Sequence, residues 1–459
     1  MITHMNRERL YSCLPIGLQN LACSIEGWRL ARRRYGAGYR ELNRELVERA
    51  SVAADRIQEI RRCRLRSHFT AALQTPFWQH QFKAYEVDCT SSDPLNEIGK
   101  LPILTKSDVQ DNASNILNRQ FDLNGLLSCH TSGTTGAGLH FWETYDAEKE
   151  RWAVWWRYRG VHGIKPETWC GYFGGRSVVP LRQTSPPFWR VNQPGRQILF
   201  SAYHLSGSTA EAYLDALERY AAPWLHGYPS VLALVAGYVL ERGRPLRTPP
   251  RIITIGAENL LPQQKHMIEM AFGCRVRQHY GQAESVANIS ECRSGHLHVD
   301  EDFSLVEFVP LDQNETHFRV IGTNWSNPAF PLFRYDTGDV VEIGGRGAPI
   351  CEMRGRVIDS IDGRQEDYVL LPNGVRLGRL DHIFKDLTEI REAQIYQPDR
   401  QSLVIRIVRG GNYTDQSEQR LLEEARKRLG SDIALRLDYV HALEKSPSGK
   451  LRFVISAVR

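Results

Sequence analysis

The segment SCHTSGTTGAG, residues 128–138, packs hydroxyls and glycines together with no bulky residue after His130. Backbone of this kind can surround an anion. Gly133, Gly136 and Gly138 permit close approach and positive φ, while Ser132, Thr134 and Thr135 offer hydroxyl donors to phosphate oxygens. Taken alone, a Gly/Ser/Thr cluster is more often a flexible surface turn. The segment has neither the GxxxxGK[ST] of a Walker loop nor the GxGxxG that opens a Rossmann helix, so those two nucleotide-binding classes are excluded.

Four further segments carry chemistry. In HYGQAES (279–285), Glu284 follows Gly281 at the end of an expected strand and is suited to a magnesium ion bridging phosphates, with Tyr280 placed to lie against a purine ring. In RYDTGD (334–339), Asp339 can accept hydrogen bonds from two ribose hydroxyls. RGRVID (354–359) and SPSGK (446–450) complete the set; with only ten lysines in the chain, Lys450 on a Ser/Pro/Gly loop stands out. Each has a plainer reading: a solvated loop glutamate, a turn-capping aspartate, a surface lysine (Lys445 or Lys450).

These segments need elements to position them. Residues 1–75 are rich in Arg, Glu, Leu and Ala at helical spacing and end at Pro76, which predicts a helical N-terminal cap. LPILTKSDVQ follows, with Thr105 or Ser107 capping a short helix that contains Asp108. From about 125 onward, short apolar runs alternate with helical patterns, the rhythm of a layered α/β core. RIITIGAE (251–258) reads as a strand, Gln263–Phe272 as a helix and CRVRQHYGQAES as the next strand, a βαβ unit whose carboxyl ends carry GAE and YGQAE. Between 303 and 343 the period shifts toward two, predicting an antiparallel or barrel-like element. A boundary is placed at 354–358, giving a large domain over 1–355 and a small α+β module over 356–459. The module is built from a helix Arg379–Leu387, strands Ala393–Tyr396 and Ser402–Val408, a helix Ser417–Leu429 and a strand Ala434–Tyr439.

Composition narrows the function classes. At 459 residues, 42% apolar and 24% charged, the chain is globular, and its net charge of +5 carries no dense basic stripe, so nucleic acid is not an expected partner. The apolar run Leu14–Ile25 is broken by Gln19 and Asn20, too short to span a bilayer, and no small-x-small cleavage site follows it; a cytoplasmic protein is expected. Nine cysteines without a CxxC, and fifteen histidines without an HExxH, predict reduced core thiols and no transition-metal site.

In order and spacing, LPILTK, SGTTG, GAE, YGQAE, YDTGD, the GR of 355–356 and the terminal GK resemble the adenylate-forming superfamily of acyl-CoA synthetases and ligases. More narrowly, the chain resembles the phenylacetate-CoA ligase type and its capsular polysaccharide biosynthesis (CapK-type) branch. The resemblance implies a large adenylation domain and a small mobile C-terminal lid. It places Ser132, Gly133, Thr134, Thr135 and Gly136 in a triphosphate loop, and Gly256, Ala257 and Glu258 at the adenine edge. Tyr280 and Gly281 lie beside the adenine, Glu284 holds Mg2+, Asp339 and Arg356 hold the ribose, and Lys450 contacts the carboxylate and α-phosphate. The implied reactants are ATP, a small carboxylic acid and coenzyme A as acceptor, with an amine acceptor as the alternative and a catalytically silent member of the fold as a third reading. The oligomeric state stays open.

The chain departs from that pattern in three places. Ala283 stands where relatives carry Thr or Ser, AGLHFW follows SGTTG where many have Pro-Lys, and Ile358 occupies the usual Asp or Lys hinge position, with Asp359 as a displaced equivalent. Aromatics Tyr172, Phe173, Tyr203, Trp224 and Tyr228 are candidates for an acyl pocket, although core packing accounts for any one of them. Attack of a carboxylate on a phosphate brings two anions together, so cationic neutralisation should dominate the barrier. Lys450→Ala is therefore expected to lower acid-dependent pyrophosphate exchange about a hundredfold or more; equal rates in both proteins would remove Lys450 from the mechanism.

Overall fold

The computed structural model describes residues 10–130, 139–257, 260, 262–311, 316–344, 351–362, 369–372, 376–377, 380–384, 387, 390–409, 413–441, 443 and 454–458. Helices Ile16–Arg34, Tyr39–Arg49 and Ala54–Ala72 form the N-terminal cap. Helical structure continues beyond the expected end at 75. Pro76 opens the helix Pro76–Ala84, because proline at the first helical position gives up an N–H that would have no partner there, and Thr75 caps it. Helix Lys106–Ile116 begins in a capping box formed by Thr105 and Asp108.

Strands β1 (Leu127–His130) and β2 (His140–Glu143) form an antiparallel hairpin around 131–138. The main sheet contains β3 (Cys170–Phe173), β4 (Trp189–Asn192), β5 (Gln197–Phe200), β6 (Trp224–Gly227), β7 (Ile252–Ile255), β8 (Val276–Gly281), β9 (Asn288–Glu291) and β10 (Leu297–Val299). β5, β3, β6, β7 and β8 run parallel, and β4 and β9 pair antiparallel at either side. Helix Pro262–Phe272 makes the β7–β8 crossover, one residue longer at its start than the sequence suggests. Phe173, Phe200, Leu225, Ile253 and Val276 pack between sheet and helices. β11 (Leu305–Pro310), β12 (His317–Thr323) and β13 (Tyr335–Glu342) build a second, antiparallel sheet.

Past this point the strand pairing departs from the expected division. β14 (Val357–Ile358) pairs with β10, and β15 (Ser360–Asp362) with β13, so the chain remains in the two large-domain sheets through Asp362, beyond the 354–358 boundary. Period-two spacing could not reveal this, because segments of two or three residues are too short to show a period. The C-terminal unit follows with β16 (Val369–Leu370), β17 (Arg376–Leu377), β18 (Ile390–Asp399), β19 (Ser402–Arg409), β20 (Ala434–Tyr439) and β21 (Val454–Ser456). β20, β19, β18 and β21 form one sheet under helix Asp415–Leu429, with Ile395, Ile405, Leu421 and Ala425 in its core. Within the helix expected over 379–387, the described residues Leu380–Phe384 form a 3-10 turn, and the strand expected at 393–396 lies inside the longer β18. No helix among the described residues is long and apolar enough to cross a membrane.

His68 is buried in the cap, its ring 4.5 Å from that of Phe333. Burial pushes its pKa from 6.5 down to about 3. The unfolded chain thus takes up a proton below about pH 6.5 that the folded chain refuses until about pH 3. Stability present above that window is lost as pH falls through it, by about 1.4 kcal/mol per pH unit. His68→Phe should shrink the fall in unfolding midpoint between about pH 7 and about pH 5; an unchanged fall would show that this ring does not drive the acid sensitivity.

Candidate functional site

The carboxyl ends of β3, β6, β7 and β8 lie side by side, which is where an open parallel sheet presents its binding loops. Gly174 and Gly175 follow β3, Tyr228 follows β6, Gly256 and Ala257 follow β7, and Gln282 follows β8. Close approach explains several of the glycines here. A Cβ on Gly227 would collide with the Phe173 carbonyl, and one on Gly281 would lie 2.7 Å from Asn288 Oδ1.

Two motifs meet directly at this edge. The Tyr280 hydroxyl donates to Asp339 Oδ2 at 2.8 Å, and Gln282 Nε2 donates to the same oxygen at 3.0 Å. Asp339 stands on β13, where its N–H donates to Thr337 Oγ1 and Gly338 takes φ 73°. An aspartate so held keeps a fixed orientation, as two-point recognition of a diol requires.

Glu284 lies in the turn after β8 and is 9% exposed. That turn is pinned by three hydrogen bonds from two side chains. Arg151, on helix Tyr145–Val161, donates to the Ala283 carbonyl at 2.8 Å and to Ser285 Oγ at 3.3 Å; Asn324 Nδ2 donates to the Glu284 carbonyl at 3.0 Å. The same guanidinium pairs bidentately with Glu143 at 2.7 and 2.8 Å. Glu143 ends β2, so one buried cation ties the hairpin flanking 131–138 to the turn carrying Glu284. Sequence reasoning missed Arg151, Glu143 and Gln282; the available signal was an arginine directly before the tryptophan-rich stretch 152–158.

Among the described residues, three of the six non-glycine residues at positive φ fall in these motifs: Ala257 at 69°, Ser285 at 59° and Arg334 at 48°. Left-handed backbone costs a side chain about 1 kcal/mol or more, and such strain persists only where surrounding contacts impose it. For Arg334 these contacts are Glu307 and the carbonyls of Gly99 and Leu101, which join RYDTGD to LPILTK. Beneath the edge, burial and the nearby charge of Arg159 press His226 and His279 from 6.5 to about 3, leaving both rings neutral near pH 7.

The remaining candidates distribute differently. Arg356 is engaged elsewhere: its guanidinium pairs with Glu301, donates to the Val306 carbonyl at 2.5 Å and stands over the Phe308 ring at 4.9 Å. Ile358 is buried in β14 opposite Leu297, and the Asp359 carboxylate accepts from the Gly344 N–H while its own N–H donates to Glu342. Among the aromatics, Phe173 stacks on Phe200 and Trp224 donates to Thr254, both as core residues. Tyr203 donates to the Gly175 carbonyl and accepts from Arg428 of the C-terminal unit. Ser132, Gly133, Thr134, Thr135, Gly136, Glu258, Lys445 and Lys450 lie outside the described residues.

Residues 372–457 match the CapK C-terminal domain family. The chain is 27% identical over 459 residues to Protein CapK of Staphylococcus aureus, covering 98% of this chain and 99% of that one. A 2-hydroxyisobutyryl-CoA ligase, crystallised with 2-HIB-AMP and CoA in the thioesterification state, superposes with TM-score 0.56 at 17% identity over 89% of this chain and 91% of its own. The same ligase with R3-HIB-AMP in the postadenylation state gives TM-score 0.55 at 15% identity with the same coverage. At that identity the likeness establishes the fold.

Breaking a buried ion pair by removing one partner leaves the other charge uncompensated. Arg151→Met should therefore cost about 3–5 kcal/mol in urea unfolding, and adding Glu143→Gln should recover part of that loss. Wild-type stability in Arg151→Met would show that this cation does not hold the two segments together.

Proposed function

We propose that this chain, a homologue of CapK with the fold of adenylate-forming acyl-CoA ligases, activates a carboxylic acid with ATP. The acid's carboxylate oxygen attacks the α-phosphorus, the bond from that phosphorus to the α,β-bridging oxygen breaks, and acyl-adenylate and pyrophosphate result. A nucleophile then displaces AMP. Coenzyme A is the acceptor in the leading reading.

The observation that carries this reading is the Tyr280–Gln282–Asp339 contact at the carboxyl edge of the parallel sheet. It places an aromatic ring and an oriented carboxylate side by side, a pairing suited to a base and its ribose. Gly256 and Ala257 border the same edge, and the β1–β2 hairpin would present Ser132, Gly133, Thr134, Thr135 and Gly136 to the phosphates. Arg356 would reach the ribose only by leaving Glu301, so its part in nucleotide binding is secondary to that of Asp339.

Glu284 would hold Mg2+. A carboxylate oxygen suits a hard cation, and its backbone is fixed by Arg151 and Asn324. When bound, the ion supplies charge neutralisation between triphosphate and incoming carboxylate. Lys450, on a small lid domain, would deliver the second positive charge. Ala283 offers no hydroxyl to the phosphates, which leaves more of their binding to the glycine-rich loop.

A second reading, an amine acceptor, for instance on a sugar, rests on the resemblance to the capsular polysaccharide biosynthesis branch. In the test, the full chain is incubated with Mg-ATP and a panel of aryl, alkyl and amino acids in the presence of hydroxylamine. Acid-dependent hydroxamate and AMP are expected, and the acceptor is named by whether CoA or an amine accelerates AMP release. Asp339→Ala should raise the KM for ATP about ten- to a hundredfold, the worth of a charged hydrogen bond of about 1.5–3 kcal/mol. No pyrophosphate exchange with any acid would favour the silent-fold reading.

A further inference from the structure

The opposite end of the main sheet holds a cluster that nucleotide chemistry does not use. β9 runs antiparallel to β8, with Ser290 opposite His279, so the end of β9 lies at the amino end of the parallel strands, away from Tyr280 and Gln282. There Cys292, His296, His298 and Cys351 converge, and one ligand atom from each lies within 4.8 Å of all the others. Cys292 Sγ is 3.7 Å from Cys351 Sγ, and His296 Nδ1 is 3.2 Å from Cys351 Sγ and 3.9 Å from Cys292 Sγ.

These separations match a tetrahedral zinc ion. With Zn–S about 2.3 Å and Zn–N about 2.0–2.1 Å, tetrahedral angles put two sulfurs about 3.8 Å apart and a sulfur and a nitrogen about 3.6 Å apart. A disulfide would need about 2.05 Å between the sulfurs.

The surroundings are those of a ligand set. His298 is 1% exposed, and its Nδ1 contacts the Gly355 carbonyl at 3.1 Å, a contact only an N–H can make. The proton therefore sits on Nδ1 and Nε2 carries a lone pair, yet Nε2 has no hydrogen-bond partner. A buried acceptor left unpaired is costly, and a histidine held by a backbone carbonyl through its other nitrogen is the usual posture of a metal ligand. The His296 N–H lies 3.4 Å from Cys292 Sγ, a donor positioned to stabilise a thiolate, and Gly295 at φ 92° turns the chain tightly between them.

We infer that Cys292, His296, His298 and Cys351 bind a structural zinc ion. Four protein ligands leave no open position, so the site is closed to substrate. Binding at neutral pH releases the two thiol protons to solvent as the Zn–S bonds form. The ion fastens Cys351 to the β9–β10 hairpin and so anchors the stretch that carries Arg356 into β14. Gly355 packs so closely there that a Cβ would strike the Val299 carbonyl, and the Arg356 carbonyl accepts from the Val299 N–H at 2.9 Å.

The test uses the full chain purified with reductant and without chelator. Elemental analysis should give about one zinc per chain. Native alkylation followed by mass spectrometry should leave Cys292 and Cys351 protected until a chelator is added. Cobalt substitution should produce thiolate-to-cobalt charge-transfer and tetrahedral d–d bands. Cys292→Ser and His298→Gln should each lower bound zinc at least tenfold, whereas Cys13→Ser/Cys63→Ser, at two exposed thiols, should retain it. The wild-type measurements decide the matter even where a ligand variant fails to fold. Zinc below about a tenth of stoichiometric, with both thiols alkylated at once or joined as a disulfide, would overturn the assignment.

Discussion

A guanidinium removed from water must find anions, carbonyls or aromatic faces, and helix Tyr145–Val161 buries three of them. Arg151 binds Glu143 and the turn after β8. Arg157, 3% exposed, binds Asp300 and Asp302 at 2.7–3.0 Å and the Leu46 carbonyl at 2.8 Å, joining the cap helices to the far edge of the main sheet. The Arg159 guanidinium instead lies over the rings of Trp152, Trp156 and Trp224 at 4.8–5.5 Å, whose faces attract a cation. Because each charge has few partners, the helix has essentially one position relative to hairpin, sheet and cap. The loops at the carboxyl edge inherit that position.

The same logic explains the strain at that edge. Ala257, Ser285 and Arg334 hold left-handed backbone that none of them would choose in a free chain. Each sits where a strand of one element hands over to a contact with another: β7 to the helix that follows, β8 to Arg151, β13 to the LPILTK segment. The result is a rim in which Tyr280, Gln282 and Asp339 touch although 57 to 59 residues separate the aspartate from the other two.

On the other side of the sheet, the chain between Cys351 and Asp362 is held rather than loose. Ile358 is paired and buried, Asp359 is bonded through both backbone and side chain, and the Cys/His cluster grips the start of the stretch. A residue that would have to rotate for a lid to swing cannot be one whose neighbours on both sides lie in different sheets.

How much of this was legible depended on range. β20, Ala434–Tyr439, has the same bounds in sequence and structure, and the cap at Thr105, one of two candidates, the β7–β8 crossover and the placing of Gly256, Ala257 and YGQAE at strand ends were readable because periodicity and turn chemistry act over a few residues. The mixed α/β class followed from the same signals. Partners were not legible. Arg356 faces Glu301, 55 residues away, rather than standing free, and Arg151 reaches 132 residues to Ala283. The four zinc-site side chains also escaped, since Cys351 lies 59 residues after Cys292 and no local spacing announces it. Local pattern determined which elements form and what chemistry they offer; only their packing, governed by the need to pair buried charge and fill close contacts, decided which of those groups meet.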